Sequence, residues 1–203
     1  LRGVRDDRVL PRVGEPGHPL ISDCTFPGDG ACCTPTLSGT PMHIQFFAAG
    51  GTIDKVYFDA KSEYEVGPPQ IEELLREANV TLDIAVESLL RKDSLEMTDA
   101  DRAMIRAHIE AAACPRIVLT HGTDTMIDTA RALRGIPGKT IVLTGSMQPA
   151  MFKVTDAVFN VGMAVAAAQT LPPGVYVAMN GRIFDPEHSR KNRDLRCFEE
   201  TEG

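Results

Sequence analysis

The sequence predicts an α/β domain built on a parallel sheet with helices on both faces, and three observations carry that reading. Apolar runs of four to six residues recur between segments of helical periodicity. The order strand, helix, strand repeats along the chain, as βαβ units require. The strand segments are continuously apolar instead of alternating, as expected of strands covered on both faces.

The elements follow in order. Residues 44–49 (Ile44, Gln45, Phe46, Phe47, Ala48, Ala49) form a compact apolar strand that ends at Gly50-Gly51. A polar stretch with Tyr57 and Tyr64 comes next, and Pro68-Pro69 open a short amphipathic helix over 70–78 with Ile71, Leu74 and Leu75 on one face. Residues 82–89 read as a second strand. Thr98 is an N-cap followed by Asp99 and Asp101 in the first helical turn, and that helix must end before Pro115. Residues 116–120 are a third strand, 125–133 a helix closed by Gly135, and 140–143 a fourth strand. An Ala-rich helix over 156–169 precedes a fifth strand over 175–179 and the turn dipeptide Asn180-Gly181.

Residues 1–41 hold 6 of the 14 prolines and 6 of the 17 glycines and show neither strand nor helix periodicity, so a disordered N-terminal extension is expected there. Met42 stands directly before the first strand and is the expected functional start. The catalytic domain is expected over 42–195, with 196–203 as an acidic tail. The net charge of -7 gives no basic footprint for nucleic acid or an anionic membrane. No apolar run is long enough to span a bilayer and no secretory signal is legible, so the cytoplasm is the expected compartment. The five cysteines are odd in number and irregularly spaced, which points to reduced thiols and fits neither a disulfide framework nor a metal site.

In doubly wound sheets, ligand sites form at the carboxyl ends of strands. Three such ends combine glycine with hydroxyl residues: Gly50-Gly51-Thr52, Thr120-His121-Gly122-Thr123-Asp124-Thr125 and Thr144-Gly145-Ser146-Met147. Glycine permits close backbone approach to a ligand, and hydroxyls beside helix starts suit acyl transfer. His121 has no acidic residue placed to make it a triad base, so it reads as structural. The cluster 190–196, basic beside Glu199 and Glu200, reads as a self-pairing or solvated face.

Taken together these segments resemble the asparaginase/glutaminase family. Residues 48–53 resemble its first signature, His121-Gly122-Thr123-Asp124-Thr125 its second, and 138–147 the segment that carries its catalytic lysine; the resemblance runs from 43 to about 193 and extends through 155–160 and Asn180-Gly181-Arg182. It implies the fold of the family's N-terminal domain, a three-layer parallel-sheet sandwich, in a short form. It implies Thr52 as the acylated nucleophile, with Tyr64 orienting it and Tyr57 as the competing tyrosine. Thr123, Asp124 and Lys139 correspond to the Thr-Lys-Asp triad, while Gly51, Ser94, Gly122, Thr123 and Asp124 hold the substrate. The implied reaction is hydrolysis of the side-chain amide of L-asparagine to L-aspartate and ammonia, with no metal or cofactor. Ala49, Leu95 and Gln148 depart from the family pattern, and Leu95 bears on substrate affinity. Relatives continue into a second domain, so exposed surface and a homo-oligomer are expected. A truncated, inactive amino-acid-binding domain, or a glutaminase- or amidotransferase-type relative, remains the alternative, and the acidic charge gives tRNA binding no support.

Overall fold

A computed structural model describes residues 42–58 and 63–201; the N-terminal extension expected over 1–41 lies outside them. The described strands are β1 (His43–Gly50), β2 (Lys55–Phe58), β3 (Glu63–Val66), β4 (Asp83–Lys92), β5 (Arg116–Thr120), β6 (Thr140–Thr144), β7 (Gly174–Met179), β8 (Arg182–Phe184), β9 (Ser189–Asn192) and β10 (Cys197–Glu200). The helices are α1 (Ile71–Glu77), α2 (Asp99–Ala111), α3 (Met126–Ala132) and α4 (Ala157–Thr170).

The main sheet has the order β4-β1-β5-β6-β7-β8, with only β8 antiparallel. Side chains alternate between its faces, as the period of two demands. Ile117, Leu119, Ile141, Leu143, Val177 and Met179 meet Ile105 and Ile109 of α2 and Met126, Ile127 and Ala130 of α3. Ile44, Phe46, Val118, Val142 and Ala178 meet Ile71, Leu74 and Leu75 of α1 and Ala157, Val161 and Ala164 of α4. The fold is therefore the expected three-layer α/β sandwich, with an antiparallel edge strand added.

The chain order in the parallel part is 2-1-3-4-5, so the direction of travel reverses at β1, and the crevice between the carboxyl ends of β1 and β5 is the switch point where ligands bind in open α/β sheets. Both α3 and α4 cross to the next strand on the same side, yet they cover opposite faces. The crossovers through α1, α2 and α3 share one hand and the crossover through α4 has the other; since about 98% of such units are right-handed, the β6–α4–β7 unit is the left-handed one. This reversal carries the loop after β6 over to the α1 face. There Ala150 donates its N–H to Ile53 O at 3.1 Å, directly beside the turn that follows β1.

Local signals explain the helix ends. Thr98 and Asp101 form a reciprocal capping box, each side chain accepting the other's backbone N–H. Asp156 binds the amides of Met147 and Gln148 and the Asn160 side chain, which in turn donates to Gly145 O, so α4 fixes the loop after β6.

One stretch that the sequence left without an element is a hairpin, and one expectation is corrected. The polar stretch with Tyr57 and Tyr64 is a hairpin, β2–β3, in which those two tyrosines pair across the strands with rings 5.4 Å apart. Residues 197–200, expected in an acidic tail, form β10, which pairs with β9. Its acidic residues are used there: Glu199 takes Arg190 Nε at 2.8 Å and Asn192 Nδ2 at 3.1 Å. Among the described residues no helix is long and apolar enough to cross a membrane.

Candidate active site

The site is assembled by backbones that touch. Gly51 has φ 94°, in the region that favours glycine, and a methyl group on it would overlap Cα and N of Gly122. A methyl on Gly122 would lie 2.6 Å from Cβ and Oγ of Ser94. The chain leaving β1, the chain leaving β5 and the turn after β4 thus converge with no room between them. Gly51 N–H also donates to Lys92 O at 3.0 Å, tying β1 to β4. Thr52 and Thr123 each stand one residue beyond the touching glycines. Gly51→Ala should cost roughly 1–3 kcal/mol for the overlap, and more for the positive φ, in a urea unfolding measurement. An unchanged midpoint would mean that the two backbones are not in contact.

Each expected site residue has a definite place. Thr52 opens a 3₁₀ turn over Thr52–Asp54 and is half-buried. Ser94 is buried; its Oγ accepts the Asp124 N–H at 3.3 Å, and its carbonyl accepts the Thr125 hydroxyl at 2.8 Å. Asp93 caps the Leu95 N–H and pairs with Lys55 Nζ at 2.8 Å, interactions that hold its carboxyl below the usual range against the cost of burial. Tyr64 is half exposed, its ring edge-to-face with Phe152 at a centroid separation of 5.7 Å as well as with Tyr57.

Lys139 is not in the site. It stands at the amino end of β6, the opposite edge of the sheet, and its ammonium donates to the carbonyls of Ala112 and Cys114 beyond the end of α2. There it satisfies carbonyls that a helix terminus leaves open. The lysine that reaches the triad position is Lys191: its Nζ donates to Thr123 Oγ1 at 2.7 Å and to Asp124 Oδ1 at 2.8 Å. Strand alternation explains this. Arg190 and Asn192 face Glu199 on one side of the β9–β10 hairpin, so Lys191 between them points to the other. Arg131 of α3 holds the hairpin in place, donating to Pro186 O at 2.9 Å and Ser189 O at 3.3 Å. The self-pairing expected of the 190–196 cluster holds for Arg190 and fails for Lys191. The signal that could have found Lys191 was positional: it lies downstream of a strand's carboxyl end, whereas Lys139 precedes its strand.

His121 is buried and buttresses the loop. Gly122 O can only accept, so Nδ1 carries the proton to it at 2.7 Å, and Nε2 accepts from Thr129 Oγ1 at 2.9 Å. The Thr129 oxygen in turn accepts Arg102 Nε at 3.3 Å. Burial pushes the imidazole down to about 4. Asp54, in the Thr52 turn, is 1% exposed; burial raises its carboxyl to about 6, opposed by the Gln70 N–H that it accepts at 2.9 Å and by Arg91.

These two groups act oppositely on stability. Neutral His121 favours the fold above its unfolded value, and that stability is lost as pH falls from about 6.5 to about 4; protonated Asp54 favours the fold at low pH, and that stability is lost as pH rises from about 4 to about 6. Each is worth roughly 3 kcal/mol, so they nearly cancel across the shared window. Asp54→Asn should uncover the histidine as a clear rise in unfolding free energy between pH about 4 and about 6, steeper than in the wild type. Equal slopes in the two proteins would show that Asp54 does not titrate there.

Among the described residues no group of His, Cys, Asp and Glu is placed to hold a metal ion. Asp124 Oδ1 accepts Lys191 Nζ at 2.8 Å and lies 3.6 Å from Arg193 Nε, while Oδ2 accepts no hydrogen bond among the described residues. The arrangement offers two hydroxyls, a lysine, and a carboxylate with one oxygen that accepts no hydrogen bond, all at the switch point.

Comparison with known proteins agrees. Residues 43–201 match the family model described as asparaginase, N-terminal. A glutamyl-tRNA(Gln) amidotransferase subunit from Aeropyrum pernix is 31% identical over 195 residues, covering 85% of this chain and 44% of that protein. L-asparaginase 2 of Escherichia coli is 33% identical over 155 residues, covering 70% of this chain and 44% of its own length. Among solved structures, the thermostable L-asparaginase from Thermococcus kodakarensis superposes with a TM-score of 0.70 at 28% identity, over 78% of this chain and 51% of that one. The chain therefore spans less than half the length of these curated relatives. With the family model covering most of the chain and the strand ends meeting as described, the protein belongs to the asparaginase family and corresponds to that family's N-terminal domain.

Proposed function

We propose that the chain hydrolyses the side-chain amide of a small amino acid, L-asparagine first, through an acyl-enzyme on Thr52. The observation that supports this best is the Thr123–Lys191–Asp124 cluster beside the Thr52 turn. An amide is a poor electrophile and a threonine hydroxyl a poor nucleophile, so the reaction needs a positioned hydroxyl and a proton relay. In acylation, Thr52 Oγ1 bonds the carbonyl carbon and its proton passes through the Thr123–Lys191–Asp124 network to the departing nitrogen, which leaves as ammonia. In deacylation, water attacks the ester, its proton enters the same network, and Thr52 regains its hydroxyl hydrogen as the acid is released. Because Lys191 sits on both a hydroxyl and a carboxylate, the network titrates as a unit and not as an isolated amine. Asp124 Oδ2 is the acceptor for the substrate ammonium, and Ser94 fixes the Asp124 backbone. Tyr64, in the hairpin that follows the Thr52 turn, is proposed to order the nucleophile once substrate is bound.

Relatives named as glutamyl-tRNA(Gln) amidotransferase subunits stand beside the asparaginases in similarity. The same Thr52 chemistry would there generate ammonia for a partner, with glutamine or asparagine as donor. Ammonia release by the purified chain on asparagine and on glutamine, in parallel, tests the proposal. Release with a preference for asparagine is expected; a protein that binds either amino acid without releasing ammonia would refute hydrolysis.

A further inference from the structure

Two cations contact Asp124, and they are not equivalent. Lys191 Nζ is spent on Thr123 Oγ1 and Asp124 Oδ1, with its side chain only 13% exposed. Arg193, two residues further on, keeps to the same side of the chain. Its Nε lies 3.6 Å from Asp124 Oδ1, an ion pair longer than a hydrogen bond, and its side chain is 67% exposed. None of its guanidinium N–H groups donates a hydrogen bond among the described residues. The cations around the end of β4 are committed elsewhere: Lys55 Nζ pairs with Asp93 Oδ2 at 2.8 Å, Lys92 Nζ pairs with Asp101 Oδ1 at 2.9 Å, and Arg91 has the buried Asp54 within its electrostatic reach.

Resting on the amide-hydrolysis reading above, we propose that Arg193 binds the α-carboxylate of the amino-acid substrate and restricts the site to amides that carry one. The ammonium and carboxylate of an α-amino acid share one carbon, so an ammonium on Asp124 Oδ2 brings the carboxylate up to the same aspartate. A carboxylate in that position meets a like charge and needs a cation of its own. Lys191 alone balances Asp124, and the charge of Arg193 is the surplus that the incoming carboxylate neutralises. The guanidinium suits this role, because its planar fork of N–H donors matches a carboxylate in a bidentate pair. Its long contact with Asp124 already brings it to the site before substrate arrives, which lowers the cost of ordering a flexible side chain.

Steady-state ammonia release by the full chain tests this on two amides, L-asparagine and β-alaninamide, which keeps the ammonium and the amide but lacks the α-carboxylate. Arg193→Ala should raise KM for asparagine roughly 10- to 100-fold, the range for lost hydrogen bonds between charged groups, with kcat changed far less. β-Alaninamide should be a poor substrate of the wild type, and its kcat/KM should be nearly the same in Arg193→Ala. Arg193→Lys keeps the charge without the fork and should fall between the two proteins on asparagine. The melting temperature should hold in both variants, since the side chain is exposed and donates no hydrogen bond to the described chain. An equal loss on both amides, or an unchanged KM for asparagine, would overturn the proposal. A wild type that releases no ammonia fails the hydrolysis reading instead, and equilibrium binding of L-aspartate then decides the arginine. Weaker binding by Arg193→Ala supports it; equal binding, or none by either protein, overturns it.

Discussion

Replacing Lys191 by methionine should lower turnover on asparagine by at least the 10²-fold typical of a lost acid-base group, while Lys139→Met should leave turnover close to wild type. The contrast follows from position. Lys191 Nζ lies 2.7 Å from Thr123 Oγ1 and 2.8 Å from Asp124 Oδ1 with most of its side chain covered, whereas Lys139 binds carbonyls at the far edge of the sheet. Methionine keeps the unbranched stem of lysine, so both proteins should fold. Lys191→Met leaves Asp124 paired only to Arg193 at 3.6 Å, which keeps the carboxylate charged without supplying a proton route to Thr123. Steady-state ammonia release, with circular dichroism to confirm folding, decides the matter. Loss of activity in Lys139→Met with retention in Lys191→Met would reverse the assignment.

Thr52→Ala should be more damaging still, on the order of 10⁴-fold or beyond, because it removes the bond-forming atom and not an aid to it. Thr52 lies in a half-buried turn whose fold rests on backbone bonds, Asp54 N–H to Gly51 O at 3.2 Å and Ala150 N–H to Ile53 O at 3.1 Å, and not on its hydroxyl. Unfolding free energy should therefore change little. Thr123→Val removes the hydroxyl that Lys191 binds and leaves a half-buried ammonium with one partner fewer, so it should impair both stability and turnover. If Thr52→Ala kept wild-type rates while Thr123→Val lost them, the nucleophile would be Thr123.

The parallel sheet was legible because burial on both faces makes its strands continuously apolar: 44–49, 116–120, 140–143 and 175–179 all lie within strands of the main sheet. The start of α2 was legible because Thr98 and Asp101 make a reciprocal cap that needs no distant partner. The small hairpins were not. Lys55–Phe58 and Glu63–Val66 are four residues each and mostly polar or exposed, and their pairing is cross-strand, Tyr57 against Tyr64. The hand of the α4 crossover is equally hidden, since an Ala-rich helix packs well on either face of a sheet. Within the site, the residues in local motifs were placed at the switch point, while Lys191 was missed because its neighbours carry charges that disguise an alternating strand. A one-residue change of face turned what read as a solvated cluster into a contact with Thr123 and Asp124.

The most direct test of this account is to quench the reaction with asparagine during turnover and map any covalent adduct by peptide mass spectrometry, in wild type and in Lys191→Met. The account predicts an aspartyl ester on the peptide containing Thr52, formed rapidly in the wild type and at least about 10²-fold more slowly in Lys191→Met. An adduct on the Thr123 peptide, or ammonia released at wild-type rate by Thr52→Ala, would contradict it.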